Sequence, residues 1–144
     1  MAIIDLYSTG KHKQEIGHFA NIVKIAKADG EITADEETLI IKVGKNLNIT
    51  VEESILILIN PEKFPIYPPA NYDDRIERLY RLSKMVLANG EVKLVEVKLM
   101  QKIAIGLRFS GANVEKVCEE AIQLVLLNTA LEDFVVAIKK ADKS

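Results

Sequence analysis

A chain that aligns with itself at one fixed offset is bound to build its core from two similar halves. Shifted by 60 positions, Ala28-Asp29-Gly30-Glu31-Ile32 falls on Ala88-Asn89-Gly90-Glu91-Val92 without a gap. The match continues on both sides, with Ile22 on Leu82, Ile25 on Met85, Glu36 on Glu96, Leu39 on Leu99, Ile40 on Met100, Val43 on Ile103, Leu47 on Leu107 and Thr50 on Ser110. Apolar positions agree while surface positions differ, so each half presents the same buried face. A period this long, present only twice, favours a closed bundle over an open solenoid. The expected fold is one compact all-α domain of about six or seven helices, its two units related by a pseudo-two-fold axis. The units cover residues 14–60 and 74–128, joined by a Pro-rich hinge at 61–72 and followed by a C-terminal helix at 129–141.

Each unit reads as helix, acidic glycine turn, helix. Over residues 13–28, Ile16, Phe19, Ile22, Val23 and Ala26 recur at spacings of three and four, the mark of an amphipathic helix. Gly30 is placed to adopt the left-handed conformation that ends helices at little steric cost. Thr33 with Glu36 then forms a capping box for a helix that turns Leu39, Ile40, Val43 and Leu47 inward. Thr50 with Glu53 repeats the device for a short third helix. The aliphatic run at 54–59 would also suit a buried strand, but no convincing second strand exists to pair with it, and helix is the expectation.

All four prolines fall within residues 61–72, which excludes regular helix there. Phe64, Ile66, Tyr67 and Tyr72, interleaved with them, are expected to pin the hinge to the core. Asp73 and Asp74 are the expected caps of a fourth helix carrying Ile76, Leu79, Leu82, Ser83 and Val86. A fifth, with Leu99, Met100, Ile103 and Leu107, stops at Ser110-Gly111. An apolar helix over 113–127 follows, and the last one opens at Thr129 with Glu132 completing its cap.

Charge and residue usage narrow the function classes. A net charge of -2 argues against nucleic-acid binding, which needs a basic stripe. The best row, Arg75, Arg78, Arg81 and Lys84, drifts around its helix in steps of three and shares its face with Glu77. The single cysteine, Cys118, excludes an internal disulfide framework and, among Val117, Ala121 and Ile122, reads as a small buried hydrophobe. Residues 1–7 carry Asp5 and lack the basic and long apolar regions of a signal peptide. No run approaches the roughly 18 apolar residues of a membrane span. A cytoplasmic protein that is not membrane-embedded is expected. His12 and His18 lack a flanking ligand cluster, and neither a phosphate-binding glycine loop nor a Ser, His and Asp arrangement stands out, so the chain is not expected to be an enzyme.

The acidic turns are the remaining chemistry. Asp29, Glu31, Asp35, Glu36 and Glu37 place five carboxylates within nine residues. A hard divalent cation such as Mg²⁺ or Ca²⁺ would relieve their repulsion through oxygen ligands. The competing explanation is that first-turn carboxylates offset the helix dipole and serve the capping box. In the second copy Lys93 replaces Thr33 and Val95 replaces Asp35, which removes the cap, yet Glu91 and Glu96 are kept. If the pseudo-two-fold joins the turns, Glu31, Glu36, Glu91 and Glu96 would share one cation. An EF-hand is excluded: Asp29, Gly30, Ile32 and Glu36 match the second half of that loop, but its first ligand positions fall on Ile25 and Lys27.

The pattern of helix, Ala-Asp-Gly-Glu-Ile, a two-residue step and an acidic helix start, with a second copy downstream, resembles the TerB-like family of tellurite-resistance proteins over roughly residues 14–128. The family's domain is also found at the N-terminus of a membrane-anchored DnaJ-type co-chaperone. The resemblance implies an all-helical bundle with internal pseudo-symmetry and an acidic cluster for a divalent cation, mapped here onto Asp29, Glu31 and Glu36, with Glu91 and Glu96 from the second copy. Asn89 and Val95 depart from the first copy, and no His-Pro-Asp triplet of a J-domain occurs. Two functions follow as expectations. One is a non-catalytic module for tellurite, metal or envelope stress whose turns bind a cation, Asp29, Glu31, Asp35, Glu36, Glu91 and Glu96 being the candidate ligands. The other is a protein-interaction scaffold whose acidic turns serve only as caps and whose groove lies beside the Pro-rich hinge or the apolar helix at 113–127.

Overall fold

The computed structural model describes residues 10–28, 30–88 and 90–143. Seven α-helices occur among them: α1 (Gly10–Ala26), α2 (Ala34–Asn46), α3 (Val51–Ile59), α4 (Tyr72–Val86), α5 (Leu94–Gly106), α6 (Val114–Leu126) and α7 (Leu131–Lys143). A single 3-10 turn, Pro61–Lys63, opens the Pro-rich connection. The chain is an all-α bundle, as its periodicity predicts, and the 54–59 run is helix.

α1 and α4 pack against each other at the centre and bring together Ile22, Ile25, Ile76, Leu79, Leu82 and Met85, all fully buried. α2 and α3 rest on α1, α6 and α7 rest on α4, and α5 packs on both central helices. Local structure keeps the 60-residue offset as far as residue 110 but not beyond, since α6 begins 63 residues after α3 and is four residues longer. α1 and α4 end 60 residues apart, and α2 and α5 begin and end 60 apart. Gly30 and Gly90 take φ of +94° and +80°, and their N–H groups donate to Lys27 O and Leu87 O at 2.9 and 3.0 Å. A side chain at either position would be strained, which is the reason glycine stands at both.

Caps decide where the helices start, and two starts differ from expectation. α4 is capped by Asn71, whose Oδ1 accepts from the N–H groups of Asp73 and Asp74, so the two aspartates lie in the first turn. α7 begins at Leu131 and not at Thr129, because Asn128 takes a left-handed φ of 57° and the Thr129 N–H donates to Leu124 O at 3.0 Å. Thr129 thus closes the preceding helix.

The Pro-rich connection is held down by packing. Phe64, Ile66 and Tyr72 lie half-buried against the core, whereas Tyr67 is exposed. Gly17 of α1 is what admits the segment: a Cβ there would sit 2.8 Å from Pro65 O. Gly17→Ala is therefore expected to destabilise by about 1–3 kcal/mol, even though alanine improves helix propensity by about 1 kcal/mol. Chemical denaturation of the variant measures this, and an increase in stability would contradict the tight approach.

Candidate functional site

In the first turn the capping box is complete. The Thr33 N–H donates to Glu36 Oε1 at 2.9 Å, and the Glu36 N–H donates to Thr33 Oγ1 at 3.1 Å. Glu36 itself is fully buried, because it shares the inward face of α2 with Ile40 and Val43 at steps of four and seven. Its Oε2 has no hydrogen-bond partner among the described residues, an arrangement that burial makes costly. Glu31, Asp35 and Glu37 lie exposed around it.

The second turn keeps the same division. Glu96 is fully buried on the face of Met100 and Ile103, while Glu91 is exposed. Lys93 at the N-cap supplies no side-chain hydrogen bond, so the loss of the capping box read from the sequence is observed. Of the six candidate metal ligands, Glu36 and Glu96 point into the core, Glu31, Asp35 and Glu91 stand at the surface, and Asp29 lies outside the described residues. Among the described residues no group of three His, Cys, Asp or Glu side chains is placed to hold a metal ion. The capping contribution is directly testable: Thr33→Ala is expected to cost about 1 kcal/mol, with thermal unfolding as the readout.

The other polar groups singled out by sequence are engaged within the fold. His12 Nε2 lies 2.8 Å from Glu53 Oε2, tying the start of α1 to α3. Burial pushes the Glu53 carboxyl upward, but the hydrogen bonds from the Thr50 N–H and His12 outweigh it and hold the group below 4.5. His18 is buried in the core. Burial also pushes the Cys118 thiol up to about 12, which keeps it protonated and poorly nucleophilic. In the basic row, Arg75 donates to Pro69 O and Ala70 O, Arg81 pairs with Glu77 at 3.3 Å, and Lys84 sits over the Tyr80 ring. No helix among the described residues is long and apolar enough to cross a membrane.

A different surface stands out. α2 and α3 each pack on α1 but hardly on each other, and between them opens a groove of about 260 Å³. Phe19 forms its floor, Ile40, Ile41, Ile55 and Leu58 line its walls, and Lys45 is the charged side chain on its rim. Ile41 and Ile55 are each 52% exposed and Val51 77%. No residue of the Pro-rich connection or of α6 lines this groove; a second groove, of about 620 Å³, does run along α6, between Lys116, Glu119, Glu120 and Gln123 on one side and Ala137, Lys140 and Ala141 of α7 on the other, where the sequence alone directs attention. A signal was available in α3, whose run Val51, Ile55, Leu56, Ile57, Leu58, Ile59 is apolar on more sides than one core face requires. No family model, curated protein or solved structure matches the chain.

Proposed function

We propose that this chain is a non-catalytic, cytoplasmic helical module of the TerB-like kind that acts by binding a protein partner. The observation that carries this reading is the apolar groove between α2 and α3, whose walls leave three large aliphatic side chains in contact with water. Such a patch is disfavoured on a surface unless something covers it. The side chains with the most reactive chemistry are turned to other uses: His12 is held by Glu53, and Cys118 is enclosed and protonated. The resemblance to TerB-like proteins supports placing the module in the response to tellurite, metals or envelope stress. A photo-crosslinking residue placed at Val51 in cells is expected to capture one defined protein, equally in magnesium and in chelator. Capture no greater than from the exposed control position Glu115 would defeat the reading.

One observation favours a second reading, a weak divalent-cation site at the acidic turns. Glu36 is completely buried with Oε2 lacking a hydrogen-bond partner among the described residues, and a cation is one way to satisfy such an oxygen. The other carboxylates of this reading are the ones the sequence names, Asp29, Glu31 and Asp35 of the first turn with Glu91 and Glu96 of the second, of which the described ones form no ready group of three. A cation present at ten times its Kd would add about 1.4 kcal/mol to stability. Thermal unfolding should then shift upward with Mg²⁺ or Ca²⁺ in the native chain and stay fixed in Glu36→Gln; identical shifts in both would remove Glu36 from the site.

A further inference from the structure

We infer that the outward face of α5 is a docking surface for an anionic lipid membrane, on which the domain rests without crossing it. This face is separate from the α2–α3 groove, and neither groove described above includes a residue of α5.

The exposed residues of α5 are Leu94, Val95, Lys98, Lys102 and Ile105. At about 100° per residue they fall within a single arc of about 100°. Glu96, Met100, Ile103 and Ala104 are buried on the opposite side. The helix is thus apolar toward the core and apolar again toward water, where Leu94 is 68% exposed and Ile105 50%. A surface helix ordinarily turns charged and polar residues outward, and an aliphatic outer face calls for something that covers it. Val92, just ahead of the helix, extends the exposed apolar stretch.

The fold does not require such a face. α2 and α5 begin and end 60 residues apart, so they compare position by position. Where α5 exposes Leu94, Val95, Lys98 and Ile105, α2 has Ala34, Asp35, Thr38 and Lys45, while Lys102 keeps its counterpart in Lys42. α2 exposes the carboxylates Asp35 and Glu37, whereas α5 exposes none. The one large aliphatic that α2 exposes, Ile41, belongs to the groove over Phe19.

Charge selects the occupant. The arc carries Lys98 and Lys102 one turn apart and no acid, and beyond its ends stand Glu91, Lys93 and Arg108, which sum to one further positive charge. On the helices packed against α5, the exposed carboxylates among the described residues are Asp73 and Asp74 of α4 and Glu115 and Glu119 of α6. Lys139 pairs with Asp73 at 2.6 Å, and Glu119 lines the groove against α7. Aliphatic side chains set among lysines fit the interface of an anionic bilayer. Leu94, Val95 and Ile105 would enter the boundary between head groups and acyl chains, while Lys98 and Lys102 lay their methylene stems along it and reach lipid phosphate with their ammonium groups. The 13 residues of α5 span about 20 Å, short of the roughly 30 Å of a bilayer core, so the helix lies in the plane of the surface. The face is the convex side of one helix, which suits a planar, deformable surface.

Flotation of the full chain with vesicles tests this. Vesicles of equal parts phosphatidylglycerol and phosphatidylcholine are expected to bind roughly tenfold more tightly, or better, than phosphatidylcholine alone, since each lysine near an anionic surface strengthens binding about fivefold. Lys98→Glu/Lys102→Glu should abolish that preference, and Leu94→Ser/Val95→Ser should weaken binding to the anionic vesicles about tenfold. All four positions are exposed, and an unchanged unfolding midpoint verifies that the variants fold. Lys42→Glu/Lys45→Glu makes the same change of charge on α2 and should leave binding near the native value. Equal binding to both kinds of vesicle, no binding to either, or equal losses in the α2 and α5 charge variants would overturn the proposal. Sedimentation showing a native dimer that Leu94→Ser/Val95→Ser disperses would assign the face to a second copy. Polyglutamate held by the native chain and not by Lys98→Glu/Lys102→Glu, with no binding to vesicles, would assign it to an acidic protein; either result overturns the membrane.

Discussion

Phe134→Ala is expected to lower stability by about 3–5 kcal/mol, a large part of the roughly 5–15 kcal/mol that such a domain has in total. Phe134 is fully buried and is the main anchor of α7, together with Ile138 one turn later. Its ring meets Tyr80 of α4 edge to face, with centroids 4.9 Å apart. Alanine would remove that contact and leave a cavity that the central α4 is too constrained to fill. The far end of α7 keeps separate tethers: Tyr72 donates its hydroxyl proton to Asp142, and Asn113 Nδ2 donates to Asp142 O at 2.6 Å. The loss should therefore be graded along the chain, with α7 amides exchanging with solvent well before those of α1 and α4. Chemical denaturation together with amide exchange measures both parts. A loss under about 1 kcal/mol, smaller than a single cap, would mean that α7 is not docked through this ring.

The helices were legible because their apolar residues recur at three and four, and the capping boxes at Thr33 and Thr50 marked two starts to the residue. The two misplaced starts have one cause, competition for a capping residue. Asn71 outranks Asp73 and Asp74 because it stands just ahead of the first helical residue, where its side chain reaches two free N–H groups. Thr129 with Glu132 has the spacing of a capping box, yet Asn128 before it adopts the left-handed conformation and recruits the Thr129 N–H to close α6. After α2 the left-handed residue is Asn48, and Ile49 takes the closing bond, which leaves Thr50 free to cap α3.

Site residues were less legible, and the acidic turns show why. Counting carboxylates treats Glu31, Asp35 and Glu36 alike, but helical periodicity separates them: Glu36 precedes Ile40 and Val43 at steps of four and seven, as Glu96 precedes Met100 and Ile103. Those steps place both glutamates on the apolar face, where they are buried. The groove was hidden for the opposite reason. Ile41 and Ile55 look like core residues in one dimension, and only the splay of α2 from α3 turns them toward water. Periodicity fixes which face a residue occupies, whereas whether two successive helices cover each other's faces is decided by tertiary packing that periodicity does not carry.

Acid should destabilise the protein in two stages, the first set by His18. This residue is 4% exposed, and its Nε2 has no hydrogen-bond partner among the described residues. Burial, and then the charges of Arg78 and Arg81, hold its imidazole well below the ordinary 6.5. In the unfolded chain the same ring takes up its proton near pH 6.5. Because the folded value is the lower one, the contribution of neutral His18 is complete above about pH 6.5 and is lost as pH falls from there toward the folded value, by up to about 1.4 kcal/mol per pH unit. Glu53 acts further down. Its folded value lies below 4.5, so the stability supplied by the Thr50 and His12 hydrogen bonds is present above 4.5 and fades beneath it. Denaturation at a series of pH values should show a decline beginning near pH 6.5 that flattens in His18→Met, an apolar replacement of similar bulk that carries no titrating group. Glu53→Gln should alter the lower stage. If His18→Met kept the full native slope between pH 6.5 and 5.5, the decline would belong to another group and the enclosed imidazole would not be its source.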